Sequence, residues 1–373
     1  KKATNIYLKQ EFCMNKIKRI GILTSGGDCA GLNAVIRSVV NAATLKGWEV
    51  YGIKFGTDGL TNRPLEYEVL TEAGFSDTPW PRLSGSYLGS LNSGVKLESM
   101  ETLSQKFGEG ARELGLDALV VVGGDGSMNI VSNYCHMAGI KMVGIPKTID
   151  NDTPITDASV GFATACQVCT GALDSLELTA RSHNRALILE VMGRDAGHLA
   201  MHAALAGFAD VCLVPEIPYK IDSIIEKLET IKNNGRNHAL IVVSEGVKRE
   251  DGQHVAAATN KIGETVYGGI GQYLSAEINK RCKVFQTRVT TLGHTQRSGD
   301  PSPTDRILAT MFGAKAVELL EEGKTNRMVV WKNSKIGDFD IDEVVREGTT
   351  LLDVNSDYVK AARAVGMYVG EEE

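Results

Sequence analysis

The chain lacks the features that mark several large classes of protein. It has no run of about 18 apolar residues, so no transmembrane helix is predicted. Its first 13 residues, KKATNIYLKQEFC, are polar and lack the apolar stretch of a secretory signal; because Met14 resembles a natural start, we interpret 1–13 as a leader or tag-like segment. The formal net charge of −6 shows no basic excess for nucleic-acid binding. These absences favour a cytoplasmic protein that binds neither membrane nor nucleic acid.

A disulfide framework and a zinc site are also disfavoured. The seven cysteines are odd in number and scattered, which is typical of reduced intracellular thiols. Cys166 and Cys169 form a single C-x-x-C with no second ligand pair, so we interpret them as buried helical thiols. His198 and His202 lack the glutamate of H-E-x-x-H, and we interpret them as packing residues of a helix.

What the chain does have is glycine and a regular alternation of strand and helix patterns. Forty of its 373 residues are glycine, above the usual ~7%. Short, nearly continuous apolar segments predict strands buried on both faces. They are 19–24, 49–53, 118–122, 141–145, 186–191, 239–243 and 284–289. Helical patterns are 31–46, 127–138, 162–180, 195–207, 220–233, 262–279 and 304–322.

This alternation predicts an α/β protein with two Rossmann-like domains. Each domain would have a mainly parallel sheet flanked by helices, with the active site in the cleft between them. We expect one domain to comprise 14–160 plus roughly 296–347, and the other to comprise 161–295 plus the C-terminal helix. The weakly periodic stretch 56–96 is predicted to form loops with a short antiparallel excursion.

Two glycine-rich loops follow predicted strands and precede predicted helices. The first is Thr24-Ser25-Gly26-Gly27-Asp28, and the second is Gly123-Gly124-Asp125-Gly126-Ser127. Glycine lets the backbone approach a phosphate closely, and a helix N-terminus offers free N–H groups to an anion. Asp125 adds a hard oxygen ligand suited to Mg²⁺. Either loop alone could be a structural turn, but two within one domain predict a polyphosphate site.

A third motif carries paired carboxylates. In Pro146-Lys147-Thr148-Ile149-Asp150-Asn151-Asp152, an extended backbone would direct Asp150 and Asp152 toward the same side. Their mutual repulsion would make one a better proton acceptor. Alone, the motif also fits a solvated turn.

Four arginines near predicted strand ends are candidate phosphate anchors: Arg185, Arg194, Arg288 and Arg297. Glu245 is a candidate acceptor for sugar hydroxyls, and His294 lies in a similar position.

Together these motifs resemble the ATP- and pyrophosphate-dependent 6-phosphofructokinases over about Lys18 to Gly323. The matching segments occur in the family's order: TSGGDCAGLNAVIR, GGDGS, PKTIDND, EVMGRDAGHLA, Pro215-Glu216, SEG and LGHTQRSGDPSPTDRILA. The resemblance implies a glycolytic kinase that phosphorylates the 1-hydroxyl of fructose 6-phosphate, with a donor domain first and a sugar-phosphate domain second. It implies ATP as co-substrate and Mg²⁺ as cofactor.

The resemblance also implies roles for individual residues. Asp150 would accept the hydroxyl proton, with Thr148, Asp152 and Arg194 as its catalytic neighbours, and Asp125 would be linked to the metal. The sugar phosphate would contact Met192, Gly193, Glu245, His294 and Arg297. The donor would contact Gly26, Gly27, Gly124, Asp125, Gly126, Ser127 and Lys147. Arg185 and Arg288 would complete a neighbouring subunit's site, which implies a homotetramer or dimer.

The identity of the phosphoryl donor is the main open alternative. Pyrophosphate users typically carry Asp at the position of Gly126 and Lys at that of Lys147, whereas the best-known bacterial ATP users carry Gly at both. This chain is mixed, and Gly126 leaves room for a nucleotide, so ATP is favoured over pyrophosphate. The adenine contacts depart from the bacterial pattern at Lys54, Phe55, Asn92 and Lys96. A non-catalytic regulatory subunit and an NAD- or lipid-kinase-like protein are lower alternatives, disfavoured by the three aspartates and by PKTIDND.

Overall fold

The first of the two main sheets is mostly parallel and combines strands from the N-terminal and C-terminal parts of the chain. The computed structural model describes residues 17–90, 98–259 and 265–371. In that part of the chain the sheet order is β14-β13-β5-β4-β1-β2-β3, with β6 beside β5; β3 and β14 are antiparallel to their neighbours and the remaining pairs are parallel. Its strands are β1 Arg19–Thr24, β2 Glu49–Ile53, β3 Tyr67–Leu70, β4 Ala118–Gly123, β5 Lys141–Thr148, β6 Val160–Gly161, β13 Arg327–Lys332 and β14 Lys335–Asp340.

A second, fully parallel sheet has the order β12-β7-β9-β8, and a short antiparallel ribbon, β10-β11, stands apart from it. The strands are β7 Arg185–Val191, β8 Val211–Leu213, β9 Ala239–Ser244, β10 Ala256–Thr259, β11 Thr265–Tyr267 and β12 Gln286–Thr291. The central strand β9 is buried along its whole length, whereas the edge strand β12 is mostly exposed. The predicted class, α/β with mainly parallel sheets and flanking helices, is confirmed.

Helices cover the faces of both sheets. They are α1 Leu32–Leu45, α2 Asp58–Thr61, α3 Met100–Glu113, α4 Asp125–Ala138, α5 Phe162–His183, α6 His198–Ala206, α7 Ile221–Asn233, α8 Ile270–Arg281, α9 Pro303–Glu321, α10 Ile341–Glu347 and α11 Asp357–Ala364. After α9 the chain returns to the first sheet, where β13 pairs with β5. The domain division predicted from the sequence stays a proposal, but the separation of the two sheets supports it.

The observed elements differ from the sequence predictions at several places, and strands β8, β13 and β14 were not predicted. The helix expected over 262–279 begins at Ile270, because residues 265–267 form β11 and Gly269 adopts a left-handed φ of 90° at the helix N-cap. Residues 260–264 lie outside the described part. Helix α3 was not predicted, because Gly108 and Gly110 weaken its helical pattern. Gly110 is required there, since a Cβ would lie 2.3 Å from the carbonyl oxygen of Leu60.

The antiparallel excursion expected within 56–96 is confirmed as β3, which pairs with β2. No helix in the described ranges has the length and apolar character needed to cross a bilayer.

The buried carboxylate of Asp305, in α9, binds the first turn of α5. Asp305 is 1% exposed and accepts hydrogen bonds from Gly161 N at 2.9 Å and Thr164 N at 2.7 Å, and from the Thr164 hydroxyl. A carboxylate at this end of a helix satisfies free N–H groups and favours the helix dipole. Asp305 therefore fixes α9 against α5.

We expect Asp305→Ala to lower the free energy of unfolding by about 2–4 kcal/mol, because two buried N–H groups and a hydroxyl lose their acceptor. Urea denaturation measures this loss. Glu318→Ala, at an exposed position of the same helix, should change stability by no more than about 0.5 kcal/mol. Equal effects of the two substitutions would contradict the structural role of Asp305.

Candidate active site

The two glycine-rich loops lie side by side at the carboxyl edge of the first sheet. Strands β1 and β4 are adjacent and parallel, with Thr24 opposite Val122, and the Ser25 N–H donates to the Val122 carbonyl at 2.9 Å. Gly26 has a φ of 84°, and a Cβ there would lie 2.9 Å from the Ser127 hydroxyl. The loops thus come into direct contact at the start of α4, and the first loop continues through Gly31 into α1.

The second loop presents its acidic residue at the start of a helix. Gly124 is the N-cap of α4, and Asp125 and Gly126 form its first turn. The Gly126 N–H donates to Asp125 Oδ1 at 2.7 Å. A Cβ at exposed Gly126 would meet no heavy atom within 4 Å. The side of the loop at Gly126 is therefore open, as a bulky donor requires.

Two cations lie against the first loop. Lys147, at the end of β5 and 3% exposed, donates from Nζ to the Gly27 carbonyl. Burial lowers the pKa of Lys147. Arg297 donates from Nη1 to the Asp28 carbonyl at 3.0 Å, and a Cβ on Gly27 would lie 2.7 Å from that same nitrogen. Glycine at position 27 therefore lets the arginine approach the backbone.

The carboxylate motif follows Lys147 directly. The Asp150 N–H donates to the Thr148 hydroxyl at 3.0 Å, and Asn151 has a φ of 53°. Asp150 is 8% exposed, and its Oδ1 has no hydrogen-bond partner among the described residues. Burial raises the pKa of Asp150, and the cations Arg297, Arg194 and Lys147 oppose that rise.

Asp152 shares this environment. Burial, followed by repulsion from Asp150 and Asp125, raises the pKa of Asp152 to about 7, and the Thr148 hydroxyl partly opposes the shift. The three aspartates are therefore near enough to repel one another, although the left-handed Asn151 between Asp150 and Asp152 departs from the extended backbone on which their predicted proximity rested. A buried carboxyl with a raised pKa is suited to accept a proton.

The second sheet contributes the turn Met192-Gly193-Arg194 after β7. Gly193 has a φ of 140° and Arg194 a φ of 49°, so both adopt left-handed backbone conformations. A Cβ on Gly246, after β9, would lie 1.8 Å from the Arg194 carbonyl oxygen. Close backbone packing thus fixes Arg194 near Asp150, with which it interacts electrostatically.

Glu245 precedes Gly246 at the end of β9. Its N–H donates to the Val191 carbonyl at 2.8 Å, which places it beside the turn after β7. Burial, then repulsion from Asp150, raises the pKa of Glu245 to about 7. The predicted sugar-side acceptor and the proposed proton acceptor are therefore electrostatic neighbours.

Sequence reasoning missed a glutamine that connects two parts of the site. Gln296 is 1% exposed; its Oε1 accepts from the Met192 N–H at 3.0 Å and its Nε2 donates to the Gly293 carbonyl at 2.9 Å. It holds the turn containing exposed His294 and half-buried Arg297 against the end of β7. Its position in the sequence between His294 and Arg297, two predicted site residues, could have indicated that Gln296 belongs to the site.

Thr349 was also missed, because it lies beyond the segment that carries the family motifs. Its hydroxyl donates to Asp125 Oδ2 at 3.4 Å. Nothing in the local sequence GTTLL indicates contact with a residue more than 200 positions earlier.

Arg185 and Arg288 are not brought to this cluster. Arg185 begins β7 and pairs in register with Gln286, whereas Met192 follows the opposite end of the strand. At about 3.3 Å per residue these ends are about 20 Å apart. Arg288 is exposed on the edge strand β12 and donates to the Thr287 carbonyl at 3.0 Å.

The residues expected near a nucleotide base are partly described. Lys54 pairs with Glu68 at 2.8 Å and lies 4.1 Å from the centre of the Tyr87 ring. Phe55 is 50% exposed and has a φ of 54°. Asn92 and Lys96 lie outside the described residues, as do positions 1–13.

The residues of the two candidate metal motifs lie on α5 and α6, where Cys169 is buried and Cys166 is half-buried. His198 and His202 lie on α6, where His202 Nδ1 is 2.8 Å from the His198 carbonyl. Cys166 and Cys169 are free thiols on α5. In the described part of the chain, no group of three or more His, Cys, Asp or Glu residues could hold an ion by itself.

Glycine loops beside buried Lys147 and half-buried Arg297, with a buried carboxylate near an arginine, define an α/β phosphotransferase. The chain belongs to the phosphofructokinase family, whose model matches residues 19–320. It is 45% identical to ATP-dependent 6-phosphofructokinase 1 of Synechocystis sp. and 46% identical to that of Nostoc sp., each over 366 residues that cover 96% of this chain and 100% of the relative.

Solved structures share the fold. Phosphofructokinase from Saccharomyces cerevisiae matches with a TM-score of 0.75 and 28% identity; the match covers 88% of this chain but only 45% of the yeast chain. A pyrophosphate-dependent phosphofructokinase from Nitrosospira multiformis matches with a TM-score of 0.77 at 22% identity, covering 95% of this chain and 93% of the other, and shows the fold alone.

The raised pKa of Asp152 makes stability depend on pH. From about pH 4 to pH 7 the folded chain binds more protons at this carboxyl than the unfolded chain, so the free energy of unfolding falls as pH rises through that window. Asp152→Asn removes this penalty. We therefore expect the variant's stability relative to the parent to increase by about 2–3 kcal/mol between pH 5 and pH 8, measured by urea denaturation. A difference that is constant across this range would contradict the burial of an ionising Asp152.

Proposed function

We propose that the chain transfers the γ-phosphoryl group of ATP to the 1-hydroxyl of fructose 6-phosphate, giving fructose 1,6-bisphosphate and ADP in the cytoplasm. One observation carries the proposal: Lys147, Arg297, Arg194 and Asp150 interact within one cluster that faces both glycine loops. Phosphoryl transfer to an alcohol needs cations for the phosphoryl oxygens and a carboxylate for the hydroxyl proton. The names of the cyanobacterial relatives support the substrate and the donor.

Each side of the cluster has a separate task. The two glycine-rich loops, each of which precedes a helix, supply the backbone N–H groups and the hydroxyl that bind the phosphates of ATP. These groups belong to Gly26, Gly27, Gly124 and Ser127. Asp150 accepts the proton of the sugar 1-hydroxyl, and Thr148 and Asp152 position the Asp150 carboxylate. Arg194 offsets negative charge on the transferring phosphoryl group. Sugar-phosphate contacts come from the residues after β7, after β9 and in the 3₁₀ turn that precedes α9: Met192, Gly193, Glu245, His294 and Arg297.

The acidic residues fit Mg²⁺ as cofactor. Asp125 is a hard oxygen ligand at the loop where the phosphates of ATP would lie. Asp150 and Asp152 are near enough to be affected by the charge of Asp125. These residues do not form a complete cage, as expected for a cation held largely by nucleotide phosphates. When bound, Mg²⁺ neutralises charge on the phosphate oxygens, and Asp125 would hold it.

Self-association is part of the proposal. Arg185 begins β7, and Arg288 lies within β12 opposite Leu187, whereas Arg194 follows the other end of β7; this placement favours a role for both arginines at the catalytic centre of a neighbouring copy. We propose a homotetramer or dimer in which these two arginines complete the partner site.

Pyrophosphate is the alternative donor, and buried Lys147 is the feature that favours it. ATP use would be reflected in a much higher kcat/KM with ATP than with pyrophosphate. We expect Gly126→Asp to lower kcat/KM for ATP by ~10²-fold or more, because a carboxylate would repel the nucleotide phosphates at close range. The open space at Gly126 lets the variant fold.

Gly126→Ala is the matched control, since it adds bulk without charge; kcat/KM for ATP should stay within about tenfold of the parent. Equal activity of Gly126→Asp and the parent with ATP would contradict the assigned donor position. A parent enzyme that uses only pyrophosphate would overturn the choice of donor.

Asp150→Asn preserves the shape of the side chain but removes its ability to accept a proton. We expect kcat to fall by ~10²–10⁴-fold, with KM for fructose 6-phosphate changed by less than about threefold. Steady-state assays with each substrate varied measure both quantities. Asp174→Asn, at an exposed position of α5, serves as the control. A normal turnover number for Asp150→Asn would remove Asp150 from the proposed role.

A further inference from the structure

The segment 348–352, which we name the C-terminal strap, connects the two sides of the catalytic centre. It follows α10 and leads to α11. On the donor side, the Thr349 hydroxyl donates to Asp125 Oδ2 at 3.4 Å, and the Thr350 N–H donates to the Asp152 carbonyl at 2.8 Å. Two consecutive residues of the strap thus hold both acidic loops.

On the sugar side, the same strap is fixed to the region around α6. The Thr350 carbonyl lies 3.1 Å from His198 Nε2, and the Leu352 N–H donates to Glu216 Oε1 at 2.8 Å. Glu216 Oε1 also accepts from the Gly197 N–H at 2.8 Å, at the N-cap of α6. Leu352 is 4% exposed, so the strap is anchored by burial as well as by hydrogen bonds.

These contacts leave Asp125 with a defined orientation. Its Oδ1 accepts from the Gly126 N–H at 2.7 Å, and its Oδ2 accepts from the Thr349 hydroxyl. A carboxylate held at one oxygen only can rotate about its terminal bond, because that torsion is broad. The exposed Thr349 hydroxyl, at 3.4 Å, gives the second oxygen a partner and so favours one setting of the carboxylate.

We propose that Thr349 is a positioning residue that orients the Asp125 carboxylate toward the divalent cation of the nucleotide. This rests on the proposed function, in which Asp125 holds that cation. The strap places the hydroxyl, and its contacts with His198 and Glu216 hold the strap in place. A residue acting in this way affects cation and nucleotide binding but not the affinity for the sugar phosphate.

The test compares Thr349→Val, which keeps the shape and removes the hydroxyl, with Thr349→Ser, which keeps the hydroxyl. We expect Thr349→Val to raise the KM for Mg·ATP and the half-saturating Mg²⁺ concentration by about three- to tenfold, the effect of losing one hydrogen bond of ordinary strength. The KM for fructose 6-phosphate should change by less than about twofold, and Thr349→Ser should restore parental values to within about twofold.

A binding measurement separates this proposal from the proposed function. Mn²⁺ replaces Mg²⁺, and its dissociation constant from the protein–ADP complex is measured by electron paramagnetic resonance, which requires no sugar and no turnover. Thr349→Val should weaken Mn²⁺ binding by about three- to tenfold. Thr44→Val, exposed near the C-terminal end of α1, should bind Mn²⁺ as the parent does.

Unchanged Mn²⁺ binding by Thr349→Val would overturn the proposal even if the enzyme phosphorylates fructose 6-phosphate. Failure of Thr349→Ser to restore binding, or an equal change in the KM for the sugar phosphate, would also overturn it. A parent protein that binds Mn²⁺ and ADP but phosphorylates no sugar would instead refute the proposed function.

Discussion

The contact between the Lys147 ammonium and the Gly27 carbonyl is the interaction on which the rest of the site depends. It joins the end of β5 to the loop after β1, although β4 lies between these strands in the sheet. A buried ammonium is costly unless it is hydrogen-bonded, and here the partner is a backbone carbonyl that only a tight glycine turn can present. Loop shape and buried charge therefore depend on each other.

The carboxylates of the site oppose folding stability. Asp150 and Asp152 are both shielded from water and have raised pKa values, and one oxygen of Asp150 has no partner among the described residues. Such an arrangement costs free energy in the ligand-free chain and is retained where a proton acceptor is needed. The second sheet partly offsets the cost, because Arg194 approaches Asp150 from the turn after β7.

Residues distant in sequence connect the two sheets at this point. Gln296 holds the Arg297 turn to Met192, and the C-terminal strap connects Asp125 and Asp152 to α6. Gln296 accepts from the Met192 N–H, and the strap donates from the Thr349 hydroxyl and from the N–H groups of Thr350 and Leu352. Such contacts leave no periodic or compositional signature, which is why sequence patterns did not reveal them.

The sequence by itself determined seven of the strands, the class of fold and the family, because buried parallel strands are continuous apolar runs and the glycine and aspartate motifs have fixed local spacing. It also predicted that Asp150 and Asp152 would face one site, but through an extended backbone, whereas Asn151 between them has a φ of 53°. Tertiary structure alone decided that Lys147 contacts the first loop, that Arg185 and Arg288 lie apart from Arg194, and that α3 forms despite Gly110. These outcomes depend on which strands are neighbours and on how closely backbones approach. Those are distances between segments far apart in the chain, and local sequence carries no information about them.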